Sequence, residues 1–472
     1  MRVLCILPLE FFFPSSIRTT SEKLKKTVIP EYLSIDKDQI NQDTFYRTLD
    51  YLTEDVQSEV RESVNKRILD KFGWNMKDIS DFCDLEISEE LADSLLIDID
   101  PTVIHSEGKA CSLVRRCYNP TNPLKRYGTK LVLAHVRNLK IPLLFPLKEG
   151  NAADVKQMEP TLKNLEAEFP KVKFTIVGDR IMFTAKVLNK YRDKYNFIIG
   201  GKMTSKNKRE WEEAKPKMKV IKKKKVKVNG KKKIYQIWAA RIEREFEGYD
   251  GPIYMHLFYD EERAEREKKD REWRMEGEKK IQEKIVKMLN SEKGRKKITK
   301  KLEKQIKEEL GDMAAQYDVN INLVIKRING KTKIKQEKDS DKWNGKFIVY
   351  CTNKKFHSKT ILENYRKHNE IEDTIKQLKG CYKIHPKYLW NENRLKAYKF
   401  LNLMAYIFVA VAMLFLCDKD SISHRRFIEE RLQAYGELKK YCGKYRFESR
   451  DANRIMRDLQ KISVKLFPKP PP

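Results

Sequence analysis

Between residues 45 and 68 apolar side chains recur every three or four positions: Phe45, Leu49, Leu52, Val56, Val60, Val64 and Ile68. That period puts them on one side of a helix. Asp43 and Thr44 are the candidate N-cap, and Arg47, Arg61, Lys66 and Arg67 form a basic polar face. From residue 94 the pattern changes. S-L-L-I-D-I-D-P-T-V-I-H predicts a strand, as do T-K-L-V-L-A-H-V (129–136), I-P-L-L-F-P-L (141–147), V-K-F-T-I-V-G-D (172–179) and Y-N-F-I-I-G-G (195–201). A helical stretch from Phe183 to Tyr191 separates the last two. Strands in series followed by strand–helix alternation predict a mixed α/β sheet.

Residues 202–342 read differently. K-V-I-K-K-K-K-V-K-V-N-G-K-K-K-I-Y-Q-I-W holds Asn229-Gly230 between alternating runs, which predicts a hairpin with one face almost all lysine. I-Y-M-H-L-F-Y (253–259) predicts a strand. A long charged helix follows, with Ile281, Ile285, Met288 and Leu289 as its narrow stripe, and then a second with Ile298, Leu302, Ile306 and Leu310. Past this block, N-G-K-F-I-V-Y-C-T-N (344–353) predicts a strand. Y-R-K-H-N-E-I-E-D-T-I-K-Q-L-K-G (365–380) predicts one helix that stops at Gly380, and residues 384–417 more helix. L-M-A-Y-I-F-V-A-V-A-M-L-F-L-C (403–417) falls short of the ~20 residues that span a bilayer and predicts a buried core helix. Pro8 and Glu10 interrupt the apolar start, where no signal-peptide cleavage site follows.

Charge narrows the partners. Lys and Arg number 99 against 68 acids, a net +31, and 10% of residues are aromatic. A folded, strongly basic chain points to nucleic acid before a membrane surface. The eight cysteines (Cys5, Cys83, Cys111, Cys117, Cys351, Cys381, Cys417 and Cys442) form no C-x-x-C pair. This argues against zinc and suits a reducing cytoplasm.

Some acids stand out by position. Asp98 and Asp100 lie two apart in an apolar strand and so face the same side. Asp179 closes the apolar run F-T-I-V-G-D, at the kind of strand end where α/β sheets place function. On the predicted 365–380 helix, Tyr365, His368, Glu372 and Lys379 fall within roughly 60° of one another. Carboxylates suit Mg²⁺ or Mn²⁺, and two such ions support in-line attack on a phosphodiester. No P-loop, G-x-G-x-x-G or Ser-His-Asp arrangement competes.

With these residues in place the sequence resembles the DDE transposases of the insertion-sequence type that carry a β-rich insertion before the last acid. That group has Tyr-x2-Arg-x3-Glu-x6-Lys around its final glutamate. Here the spacing is kept as Tyr365, His368, Glu372 and Lys379, with histidine in the arginine position. Asp100-Pro101-Thr102 fits the first acid, Gly178-Asp179-Arg180 the second, and Gly150-Asn151-Ala152-Ala153-Asp154 the family's Gly-Asn-x-x-Asp element.

The resemblance implies an RNase H-like α/β fold: a mixed sheet with flanking helices, interrupted by a β-rich and helical insertion. The expected order is a helical N-terminal domain with DNA contact (1–92), a first core part (93–201), a basic insertion (202–342), a second core part with the catalytic helix (343–440) and a tail (441–472). It implies metal-dependent cutting and joining of DNA at element ends. Asp100, Asp179 and Glu372 would hold Mg²⁺ or Mn²⁺ as two ions, with Asp98 the fallback for the first acid. Tyr365, His368 and Lys379 would touch DNA. The partners implied are double-stranded DNA (terminal inverted repeats and target) and a second copy of the chain. No membrane is implied, and the location is the cytoplasm, on the nucleoid. The histidine leaves two other expectations open: a DNA-binding descendant with a decayed site, or a basic structural or RNA-associated protein.

Overall fold

A computed structural model of the chain describes residues 17–25, 30, 35–106, 110–117, 127–228, 231–291, 298–328, 341–382, 384, 389–416, 437–441 and 444–448. The chain divides into two compact units. One comprises Met1–Gly200, Glu243–Tyr254 and Tyr350–Pro472; the other comprises Gly201–Ile242 and Met255–Val349.

The first unit opens with helices α1 (Ile17–Lys25), α2 (Gln42–Asp50), α3 (Glu54–Phe72) and α4 (Met76–Cys83). The single stripe predicted from Phe45 to Ile68 is two helices. Each has its own cap: the Asn41 side chain accepts from Thr44 N and the Thr53 side chain from Val56 N. Asp43 therefore lies inside the first turn and is not the cap. In α3 the buried positions are Asn65, Ile68, Leu69 and Phe72, while Val56 and Val60 are exposed. The interruption at residues 51–53 breaks the stripe's phase.

Next come β1 (Leu95–His105), the short β2 (Arg115–Arg116), β3 (Tyr127–Val136), β4 (Ile141–Leu144), β5 (Leu147–Glu149), α5 (Met158–Glu168), β6 (Phe174–Gly178), α6 (Ala185–Tyr191) and β7 (Tyr195–Gly201). β1 is central. It pairs antiparallel with β3, which pairs antiparallel with β4 and β5. On its other side β1 pairs parallel with β6, and β6 parallel with β7. A first strand in the middle, antiparallel neighbours on one side and parallel ones on the other, is the RNase H-like arrangement expected. Parallel strands need covering on both faces, and the β6 sequence is apolar and buried throughout.

The second unit holds α7 (Ser205–Ala214), β8 (Lys219–Val228), the greater part of β9 (Lys231–Glu245) and β10 (Pro252–Asp260), α8 (Glu261–Ser291), α9 (Lys300–Gln316), α10 (Ile321–Ile328) and the start of β11 (Lys346–Cys351). β8 and β9 form the expected antiparallel ribbon; its turn, Asn229-Gly230, lies outside the described residues. The lysines do not keep to one face. Lys222, Lys223, Lys224 and Lys225 are consecutive and all exposed, so the pleat sends them alternately to both. Ile281, Ile285, Leu289, Leu302, Ile306 and Leu310 form the core between the helices, as their spacing predicts, with Met288 partly buried against them.

The first unit finishes with α11 (Ser358–Lys367), α12 (Asn369–Gly380) and α13 (Glu392–Leu416); a separate ribbon, β12 (Glu437–Tyr441) with β13 (Lys444–Glu448), follows. α13 begins later than predicted and is longer than its apolar run. Residues Glu392–Phe415 are long and apolar enough to cross a membrane by length and composition, and 78% of that window is buried inside the protein. α13 packs on α2, α3 and β4. Its buried Lys399 donates to Thr129 Oγ1 at 2.7 Å, and burial pushes that ammonium down to about 7. The five described cysteines are all free thiols. The predicted tail at 441–472 lies outside the described residues but for β13 and Tyr441.

Candidate active site

The parallel register of β1 and β6 brings the first two acids together. Asp98 pairs with Val177 and Ile99 with Gly178. The paired register ends there: Asp100 follows on β1, and Asp179 is the first residue beyond the end of β6. Neighbouring strands run ~4.8 Å apart. Asp179 then leaves the sheet as the cap of a 3₁₀ turn at Arg180–Met182, where its Oδ1 accepts from Arg180 N at 2.6 Å.

Glu372 arrives from above. Asp98, Asp100 and Thr102 share one face of β1, and α12 is fastened to that face near both of its ends. His368 Nδ1 lies 2.8 Å from Asp98 Oδ1, and Lys379 Nζ donates to Thr102 Oγ1 at 2.8 Å. Four strand residues span ~13 Å and eleven helical residues ~16 Å, so the helix runs nearly along the strand. Glu372, in the first turn of α12, falls over the stretch that holds Asp100.

Electrostatics agree. Burial pushes the Asp100 carboxyl up to about 6; His368 opposes this, while the charges of Glu372, Asp154 and Asp179 add to it. Asp154, the last residue of the Gly150–Asp154 element, is itself paired with Lys130. Burial lowers the Lys379 ammonium against the pull of Asp100. Three other acids thus act on Asp100. Among the described residues, no three His, Cys, Asp or Glu side chains are drawn closely enough together to hold one metal ion.

Asp98 is occupied differently. It is fully buried. Arg137, itself 1% exposed, donates Nε to Asp98 Oδ2 at 2.9 Å and Nη2 to Oδ1. Burial alone would raise this carboxyl, but Arg137 and the His368 hydrogen bond outweigh it and hold it at about 2. An ionised Asp98 accepts, so His368 Nδ1–H donates. With both oxygens taken from inside the protein, Asp98 is the poorer candidate for the first acid and Asp100 the better one.

The predicted helix over 365–380 is two helices, α11 and α12, that meet at His368. Arg137 meets the chain at this point. In an unbroken helix His368 N–H would bond the Asn364 carbonyl. Arg137 Nη1 takes that carbonyl, and lies 3.2 Å from Asn364 Oδ1 as well. His368 N–H turns instead to Tyr365 O at 3.2 Å, and Ile371 N–H to His368 O at 3.2 Å. A side chain inserted into the hydrogen-bond ladder is a recognised cause of helix breaks. Neither Arg137 nor Asn364 belongs to the motif read from the sequence. The only hint was a lone arginine directly after the apolar strand L-V-L-A-H-V.

Tyr365 stands over β7. A Cβ built on Gly200 would come within 2.3 Å of its hydroxyl and 3.0 Å of its Cζ. A Gly200→Ala protein is therefore expected to lose about 1–3 kcal/mol by overpacking. Tyr365→Phe in that background should recover part of the loss in urea unfolding. A Gly200→Ala protein as stable as the parent would show that Tyr365 is not held there. Beside this, His135 Nε2 and Tyr406 Oη both meet Thr374 Oγ1, at 3.0 and 3.1 Å. Burial drives the His135 imidazole down to about 4, so it sits neutral and ties α12 to β3 and α13.

Comparison with known proteins gives two findings. The family model described as Transposase DDE domain matches residues 92–408, more than half of the chain and the whole of the site above. Among solved structures, the cryo-EM structure of the piggyBac transposase synaptic complex with hairpin DNA is similar over 72% of this chain and 57% of that one, at 10% identity and a TM-score of 0.22. No curated protein matches this sequence.

Proposed function

Because the chain belongs to the transposase DDE domain family, we propose that it cuts DNA at the ends of an insertion sequence and joins the freed ends to target DNA. The chemistry is phosphodiester hydrolysis and transesterification. The observation that supports the reading is the parallel β1–β6 register, paired up to Ile99 and Gly178, the residues directly before Asp100 and Asp179.

In this reading Asp100, Asp179 and Glu372 hold divalent ions, Mg²⁺ or Mn²⁺. The donor chemistry fits, all hard carboxylate oxygen; a cation would draw together side chains that stand too far apart here for three of them to share one ion. Bound ions would polarise the phosphoryl oxygens and activate the attacking hydroxyl. The chain's own groups do the rest. Asp98 and Arg137 fix the floor of the site. Lys379, anchored on Thr102, keeps a positive charge beside the acids for a phosphate. Tyr365 would line the approach to the DNA, and His368, bonded to Asp98, would reach it only with its outer ring edge. Substrate DNA would bind to a pair of chains, in the cytoplasm on the nucleoid.

The test is a cleavage assay on duplexes bearing the DNA that flanks the coding sequence, with and without Mg²⁺. The parent should nick in Mg²⁺ only. Glu372→Gln should lose at least about a thousandfold in rate, about 4 kcal/mol of barrier, while still binding DNA. Equal rates for the two would remove Glu372 from the site. A second reading has one observation behind it. His368 faces inward to Asp98 where an arginine fork would grip phosphate. A DNA-binding descendant with lost catalysis would show salt-sensitive binding and no cleavage in any metal.

A further inference from the structure

The Asp98–Arg137–Asn364 chain has a consequence for how the site is set. Three groups on three elements meet there: a carboxylate in the middle of β1, a guanidinium directly after β3, and a main-chain carbonyl in the last turn of α11. The Arg137 fork is divided between them. Nε and Nη2 are spent on Asp98, and Nη1 on Asn364. The guanidinium plane is rigid, so fixing two nitrogens on a buried carboxylate fixes the direction of the third. That third nitrogen removes the one acceptor His368 N–H would use in a continuous helix. At His368 the helix tightens to i→i−3 bonds, with His368 still in the right-handed helical region. His368 then folds its ring onto Asp98, closing the same group from the other side.

We infer that Arg137 is a positioning residue for Glu372: by holding the Asn364 carbonyl it breaks the helix at His368 and sets the carboxylate over Asp100 and Asp179. The inference rests on the reading of Glu372 given above. It also assigns His368 a role in place of the missing arginine, as a brace to Asp98.

Two variants test it. Arg137→Lys keeps a cation for Asp98 but has one nitrogen in place of a fork, so it frees Asn364. Asp98→Leu combined with Arg137→Met removes both charges together, and such apolar replacements of a buried pair are commonly tolerated. Amide hydrogen exchange reads the break directly. In both variants the His368 amide should become at least about tenfold better protected, because it regains the Asn364 carbonyl. Mn²⁺ affinity, measured by calorimetry on protein without DNA, should fall about tenfold or more. Cleavage should slow at saturating DNA, with duplex affinity within about twofold of the parent.

An unchanged His368 exchange rate in the folded variants would overturn the inference. So would full protection of His368 with parental Mn²⁺ affinity and parental cleavage. A parent that cleaves nothing and binds no Mn²⁺ would fell the functional reading instead, and the exchange rate of His368 would still decide whether Arg137 breaks the helix.

Discussion

An Asp100→Asn protein is expected to cut no DNA and yet to melt at a higher temperature than its parent. Asp100 is the one acid of the site whose carboxyl is pushed up to about 6, from an ordinary value of 3.8. A carboxyl whose folded value lies above its unfolded value opposes folding wherever it is ionised. The sign is therefore definite. Below about pH 4 the group is protonated in both states and costs nothing. Between about 4 and 6 the cost grows, and above about 6 it is complete. Two pH units correspond to about 3 kcal/mol as an upper bound. Asparagine removes that cost at pH 7.5 and has nothing to remove at pH 4. Calorimetric melting in EDTA at the two pH values should show the gain only at the higher one, and Mg²⁺ should narrow it by stabilising the parent. A variant less stable than the parent at pH 7.5, or one equally stabilised at pH 4, would contradict the clustering of charge around Asp100.

Arg137→Ala is expected to have the opposite effect and the largest one on stability. Asp98 is ionised and 0% exposed, and it would keep only His368. Breaking one partner of a buried pair costs about 3–5 kcal/mol, a large part of the stability of an ordinary domain. Urea denaturation at pH 7.5 should find that loss, and the Asp98→Leu, Arg137→Met protein should recover most of it. The sign with pH is again fixed. Asp98 is held at about 2, below its ordinary 3.8. The stabilisation is whole above about pH 4 and fades as pH falls towards 2, and the difference between parent and Arg137→Ala should fade with it. A loss below about 1 kcal/mol at pH 7.5 would mean the pair is not buried as described.

These two aspartates show where the sequence could and could not be read. Both sit in S-L-L-I-D-I-D-P, both face the same way, and a period of two cannot rank them. What ranks them is Arg137, a residue 37 positions beyond Asp100, which reaches Asp98 only because β3 lies antiparallel beside β1. The strands themselves were legible, since each is a short apolar run closed by turn residues. That Asp100 and Asp179 each follow the last paired residues of adjoining strands needed the register as well. The helix over 365–380 had its end right, at Gly380, and its middle wrong. Nothing in Y-R-K-H-N-E breaks a helix by propensity; what meets the chain there is a guanidinium from another element. The helical stripe from Phe45 to Ile68 failed for a local reason, because Thr53 starts a second helix where the pattern ran straight on. The Tyr-x2-Arg-x3-Glu-x6-Lys spacing carries no sign that His368 meets Asp98 at 2.8 Å, because that contact is made with a distant strand.

The order of these elements along the chain also governs when the fold can be completed during synthesis. Asp100 and Asp179 are made early, Glu372 late, and the second unit is made between them. At about 5–20 residues per second, the roughly 190 residues that separate Asp179 from Glu372 take on the order of ten to forty seconds to synthesise. Over that time the nascent chain carries two acids of three. It also lacks α13, the helix that packs on α2, α3 and β4, so its sheet has an apolar face still open to water. A chain released early thus lacks both the helix that carries Glu372 and the helix that covers α2, α3 and β4.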